Sequence, residues 1–225
     1  MRLLADCGNT TVKLALAEGR QLVRTARCEP RAQAWDAFLG QEQPEELVLL
    51  PGAKGWAGAV EAWWPGRIRT VGADLDLPAV GQYAGMGLDR IVAGLALTGP
   101  TLVIDAGTAT TFGAWSATFL GGLILPGAAA CAAGLAAAAP ALPLVTPGTV
   151  ADRACQRDTT GALAAALGIG YPAMVGACAD RLSAETAVTR RVLTGGNAPA
   201  LVAAGVVGEH DPWLVLRGLA VLAAR

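Results

Sequence analysis

The hydrophobic positions of this chain carry one pattern twice. The first copy is Leu3-Leu4-Ala5-Asp6, a turn Cys7-Gly8-Asn9-Thr10-Thr11, and a returning run Val12-Lys13-Leu14-Ala15-Leu16. The second is Leu102-Val103-Ile104-Asp105, a turn Ala106-Gly107-Thr108-Ala109-Thr110-Thr111, and a run opening at Phe112. Each reads as a short apolar strand with an aspartate at its end, a tight glycine-containing turn with hydroxyls, and a second strand. That is a β-hairpin with a polar tip. Two copies a domain's length apart predict two similar halves that each open with the same hairpin.

Around the first hairpin the pattern predicts strands at 46–50 and 69–71 and helices at 31–39, 56–63 and 88–97. Beyond the second it predicts a strand at 119–124, an alanine-rich helix at 127–139, and a helix or helix pair at 158–187. A strand at 191–194, a helix starting near Ala198 and a terminal helix at 212–224 follow. Strands alternating with helices argue an α/β fold. The halves divide at Thr98-Gly99-Pro100, giving residues 1–97 and 98–225.

Composition narrows the function. The 225 residues are 53% hydrophobic and 16% charged, with a formal net charge of −1. That balance leaves no basic face for nucleic acid or an anionic membrane, so small molecules or a second copy are the expected partners. Between Arg90 and Asp152 the only charge is Asp105. Prolines and glycines break that stretch, and its longest helical piece falls short of the roughly 20 residues of a membrane span. It reads as buried core, not as a transmembrane segment. The N-terminus meets Asp6 too early for a signal peptide. Five cysteines without a CxxC pair are expected to be reduced thiols in a cytoplasmic protein. The single histidine, His210, reads as a surface residue and leaves no zinc-ligand cluster. The six tryptophans read as packing, not as a stacking platform.

The hairpin tips carry the chemistry. Glycine lets backbone approach a phosphate, Asn and Thr side chains donate to its oxygens, and a nearby Asp can hold a bridging cation. A single such turn is ordinary; its duplication points to two tips gripping a nucleotide's phosphates. The chain has no G-x-x-x-x-G-K-[ST] loop. Its two serines, Ser116 and Ser183, lie outside any G-x-S-x-G, which excludes the usual serine-hydrolase arrangement. Gly87-Leu88-Asp89-Arg90 opens an apolar helix. Asp89 there is either a helix-start acid or a general base beside a cation that holds an acidic substrate. Thr194-Gly195-Gly196-Asn197 either lets an adenosine lie against the backbone or is a plain tight turn; glycines alone do not separate the two. Lys13 reads equally as a phosphate contact and as a surface charge at a strand end.

Taken in order, Asp6-Cys7-Gly8-Asn9-Thr10, Gly87-Leu88-Asp89-Arg90, Asp105-Ala106-Gly107-Thr108-Ala109-Thr110, Gly121-Gly122 with Pro126-Gly127, and Thr194-Gly195-Gly196 span nearly the whole chain. The sequence resembles the type III pantothenate kinases. The resemblance implies two similar ribonuclease H-like (actin-like ATPase) domains with a nucleotide cleft between them, assembled as a homodimer. It implies phosphorylation of pantothenate by ATP at the start of coenzyme A synthesis. ATP would be bound by Asp6, Cys7, Gly8, Asn9, Thr10, Thr11, Val12 and Lys13, with Asp6 near Mg2+, and by Thr108. Gly87, Leu88, Asp89 and Arg90 would bind pantothenate with Tyr83 and Thr159, and Asp89 would accept the proton. Asp105 would hold the monovalent cation, K+ or NH4+. This chain departs from the family at Gly113, where an Asp is usual, and in the position of Tyr83, which lies nearer the G-x-D-R motif than the family's tyrosine does. It is also somewhat short. Intact Asp6, Asp89 and Asp105 favour an enzyme over a regulatory or accessory homologue; a kinase acting on another small molecule is the other alternative.

Overall fold

The structure is a computed structural model that describes residues 1–8, 11–52, 55–148 and 153–225. In chain order the elements are β1 (Arg2–Cys7), β2 (Val12–Glu18), β3 (Gln21–Cys28), α1 (Ala32–Leu39), β4 (Glu46–Leu50), α2 (Trp56–Trp63), β5 (Arg67–Thr70) and α3 (Leu88–Leu95). Then follow β6 (Thr101–Ala106), β7 (Ala109–Trp115), β8 (Phe119–Pro126), α4 (Ala128–Ala138), α5 (Thr159–Ala165) and α6 (Tyr171–Thr186). The chain ends with β9 (Arg191–Thr194), α7 (Ala198–Ala203), β10 (Glu209–His210) and α8 (Leu214–Ala223). Both expected hairpins are present.

The chain folds as two units, Met1–Thr98 with Trp213–Arg225, and Gly99–Pro212. The first holds a five-stranded sheet in the order β3-β2-β1-β4-β5. β1 runs antiparallel to β2 and parallel to β4. One face, with Leu3, Ala5, Leu14 and Leu47, packs on Trp35 and Phe38 of α1 and Val60 of α2. On the alternate positions Leu4, Val48 and Leu50 are buried as well, and α8 lies along β1 to β4. Burial on both faces explains why β4 is apolar almost throughout instead of alternating. At its start Glu46 binds Arg2 at 2.8 Å and Arg69 at 2.7 Å, and Arg69 also donates to the Ala223 carbonyl at the end of α8.

α8 is where sequence and structure part. The terminal helix, assigned by chain order to residues 98–225, belongs to the first unit. It crosses α3 so closely that a Cβ on Gly218 would lie 1.8 Å from the Val92 carbonyl oxygen. Only glycine permits that approach.

The second unit repeats the first. Its sheet runs β10-β9-β6-β7-β8, with β6 antiparallel to β7 and parallel to β9. Read from the other edge, the order and senses match the first sheet strand for strand. Leu102, Ile104, Phe112 and Leu193 pack on Tyr171, Val175, Ala179 and Leu182 of α6. α5 passes into α6 through a π-helical turn, Ala166–Gly170. This continuous run, Thr159–Thr186, is long and apolar enough to cross a membrane by length and composition. In the fold, α6 lies on the sheet as a core helix. β3 and β10 were not expected from the pattern. β3 is an edge strand on which Gln21, Val23, Arg24 and Arg27 are exposed, and β10 has two residues.

Candidate active site

Asp6 stands at the end of the central strand β1, opposite Lys13 in the register of β2. Its carboxylate lies 3.4 Å from the Lys13 ammonium. Lys13 is largely covered, its side chain 14% exposed, so it is no surface charge. Burial raises the Asp6 pKa above its ordinary value; the Lys13 charge pulls it down, the Asp89 charge pushes it up, and burial wins. Asp6 and Asp89, two of the sequence-selected acids, both belong to the first unit.

The hairpin tip that follows is anchored from below. A Cβ on Gly52, just after β4, would sit 1.8 Å from the Cys7 carbonyl oxygen. Sequence reasoning missed Gly52; its signal was a glycine following a strand that pairs with the hairpin. Cys7 and Val12 are buried in the core, so their side chains are unavailable to a ligand and only their backbone could face one. The Cys7 thiol is pushed up to about 12, by burial first and then by the charges of Asp6 and Glu61. Asn9 and Thr10 lie outside the described residues.

Asp89 is exposed in the first turn of α3, its Oδ1 accepting from the Arg90 amide at 2.9 Å. Gly87 caps the helix with no side chain of its own, and a Cβ there would meet the Asp89 carboxylate at 2.5 Å. Glycine is therefore required for this carboxylate position. The Arg90 guanidinium donates to the Tyr83 hydroxyl at 2.7 Å and lies 5.9 Å from its ring centroid. Tyr83, half exposed, thus belongs to the same cluster as Gly87 to Arg90. A hydroxylated ring, a cation and an acid on one short segment can hold an anionic substrate and accept a proton from its hydroxyl.

In the second unit Asp105 occupies the place of Asp6, at the end of the central strand, opposite Thr111 on β7 and Thr194 on β9. Thr194 Oγ1 is buried and has no hydrogen-bond partner among the described residues. Thr108 stands exposed at the tip. A Cβ on Gly127 would strike the Gly107 and Thr108 carbonyl oxygens at 2.4 and 2.6 Å, and one on Gly195 the Asp105 carboxylate at 2.4 Å. Gly127 and Gly195, one from each late motif, therefore serve close packing around the tip and its aspartate. Thr159 is exposed at the start of α5, where Asp158 caps the helix by accepting from the Gly161 amide.

Gly113 faces the indole of Trp115. A Cβ would lie 2.8 Å from Trp115 Nε1 and 3.6 Å from the Phe119 ring. The two rings pack edge to face with centroids 5.1 Å apart. The aromatic pair fills the space above the strand where an aspartate would project.

Among the described residues no three His, Cys, Asp or Glu side chains form a metal cluster. A nucleotide-bound divalent ion needs only one or two protein carboxylates, since phosphates and water complete its shell. Buried Asp6, part of no such cluster among the described residues, fits that mode and does not fit an all-protein cage.

A family model described as Type III pantothenate kinase matches residues 48–181. A type III pantothenate kinase of Desulfovibrio desulfuricans is 32% identical over 247 residues, covering 96% of this chain and 94% of the relative. One of Acidothermus cellulolyticus is 38% identical over 257 residues, covering 100% and 98%. Among solved structures, (R)-2-hydroxyglutaryl-CoA dehydratase component A of Acidaminococcus fermentans superposes with a TM-score of 0.55 at 14% identity, covering 99% of this chain and 96% of that one. Such a distant likeness speaks to the fold, which is that of the actin-like ATPases.

Proposed function

The chain belongs to the type III pantothenate kinase family, and from that premise we propose how its residues carry the reaction. It phosphorylates pantothenate with ATP, giving 4′-phosphopantothenate and ADP in the first step of coenzyme A biosynthesis. The primary hydroxyl oxygen attacks the γ-phosphorus, the bond to the bridging oxygen breaks, and ADP leaves. Asp89 takes the hydroxyl proton. Arg90 and Tyr83, already joined to each other, hold the substrate's carboxylate and orient it, with Gly87, Leu88 and Thr159 contributing contacts. The segment Asp6 to Lys13 and Thr108 bind ATP. Asp6 would hold Mg2+ and Asp105 the monovalent cation, K+ or NH4+; when bound, these ions would neutralise charge on the phosphates. The observation that supports this reading most is the Arg90–Tyr83 hydrogen bond at 2.7 Å beside Asp89 in the first turn of α3, a cation, a hydroxyl and an acid on one short segment.

A coupled ADP-release assay, run with and without K+ and NH4+, tests the proposal. We expect ADP release that depends on pantothenate and on a monovalent cation. Folded protein giving no pantothenate-dependent ADP would favour an accessory homologue, the reading that Gly113 invites. Turnover on other hydroxy acids or sugars would favour a different substrate. A cytoplasmic homodimer completes the proposal; Leu123, Ile124 and Leu135 stand exposed in the second unit, apolar area that a second copy would cover.

A further inference from the structure

The tip of the second hairpin is held by its carbonyls. Ala106 O accepts from the Asn197 amide at 2.8 Å, Gly107 O from Asn197 Nδ2 at 3.2 Å, and Thr108 O from the Gly127 amide at 2.9 Å. The Ala109 carbonyl is also engaged, accepting from the Gly107 amide at 3.0 Å. Four consecutive carbonyl oxygens are thus drawn into the protein's own hydrogen bonds. The Gly107 amide is spent on that bond inside the turn, but the next plane, whose Gly107 oxygen is tied to Asn197, turns its opposite, positive edge, the Thr108 amide, the other way, which is what an anion-binding turn requires.

Asn197 is the one side chain in this set, and its use is unusual for its place. It is the N-cap residue of α7, where an asparagine normally accepts an amide hydrogen from the first turn of its own helix. Here it makes no side-chain cap. The reason lies in the next residues. Pro199, in the first turn, has no amide hydrogen to offer, and the Ala200 amide is already bound by the Asn197 carbonyl at 3.1 Å. Released from capping, the amide group reaches across to a carbonyl 90 residues earlier in the sequence. Because a carbonyl can only accept, the group facing Gly107 must be the NH2.

We infer that Asn197 is a positioning residue for ATP: by holding the 106–107 peptides it keeps the Thr108 tip in the orientation that receives phosphate. This rests on the reading of that tip as an ATP contact. It assigns to the Gly-Gly-Asn motif a task beyond lying against an adenosine.

Two variants test it, Asn197→Ala, which removes the donor, and Asn197→Asp, which sets a carboxylate against the Gly107 carbonyl. Asn197 is exposed, so neither change empties the core. ATP affinity is read by titration calorimetry without pantothenate, and folding by the thermal midpoint. Loss of one hydrogen bond predicts that Asn197→Ala weakens ATP binding about fivefold and Asn197→Asp more than about tenfold. The KM for pantothenate should stay within about twofold, and the midpoints within a few degrees, of wild type. Hydrogen exchange of the segment 105–111 should quicken in both variants. Unchanged ATP affinity in both would overturn the assignment, as would weakened binding that only tracks a lowered midpoint. Wild-type protein that binds ATP without phosphorylating pantothenate would defeat the proposed function and leave this inference standing; wild-type protein that does not bind ATP would end both.

Discussion

Lys13 Nζ lies 3.4 Å from Asp6 Oδ2, across a hairpin register that places both side chains on one face of the sheet. The pair is almost covered, and breaking it would leave a buried charge alone. We expect Lys13→Met to lower stability by about 3 kcal/mol, since uncompensated buried charges cost on that order. Chemical denaturation monitored by circular dichroism measures it, and a change under about 0.5 kcal/mol would show the pair to be inert.

The same carboxyl should set a pH dependence. Burial raises its pKa in the folded protein, so the fold binds this proton more tightly than the unfolded chain does. Asp6 therefore favours folding at pH below its ordinary value, and that contribution is lost as pH rises through the raised folded value. Metal-dependent ATP binding should run the other way, weakening as pH falls through that value because a protonated acid is a poor ligand. Titrating Mg–ATP affinity against pH should show this trend in wild type and none of it in Asp6→Asn.

Asp89→Asn should abolish turnover by at least about a hundredfold, the scale of general-base contributions. It should leave ATP affinity within about twofold, because Asp89 is assigned to the alcohol and not to the nucleotide. Equal losses in ATP binding and turnover would assign Asp89 to the nucleotide instead.

Gly218→Ala should be among the costlier single changes in the first unit. Its methyl would lie 1.8 Å from the Val92 carbonyl oxygen, a backbone atom with no rotamer to move. α8 is buried along most of its length, Leu216 and Leu219 included, so it has little room to shift and a loss of about 2–4 kcal/mol is expected. Thermal unfolding of the purified variant checks it.

Ala187 should accept glycine with a gain. It ends α6 at φ +56°, in the left-handed region, where glycine escapes the Cβ penalty. Ala187→Gly should raise stability by up to about 1 kcal/mol, read from the same melts.

Much of this protein is legible in order along the chain. Two aspartates that each end an apolar run before a glycine turn determined the hairpins, and their repetition determined the doubled α/β fold. The Gly87 to Arg90 segment is readable because its residues lie within one helical turn. Local sequence failed where a residue's partner is distant. Lys13 reads equally as a phosphate contact and as a strand-end charge until β1 is laid beside β2, and Gly52 carries no local signal until Cys7 is found against it. α8 reads as the end of the second half until Gly218 meets Val92. Asn197 reads as part of an adenosine contact or a plain tight turn until Gly107 comes within reach. Period and turn chemistry are properties of neighbouring residues, so the sequence carries them openly. Burial, coupled charge and close backbone approach depend on which surfaces meet, and only the folded chain decides that.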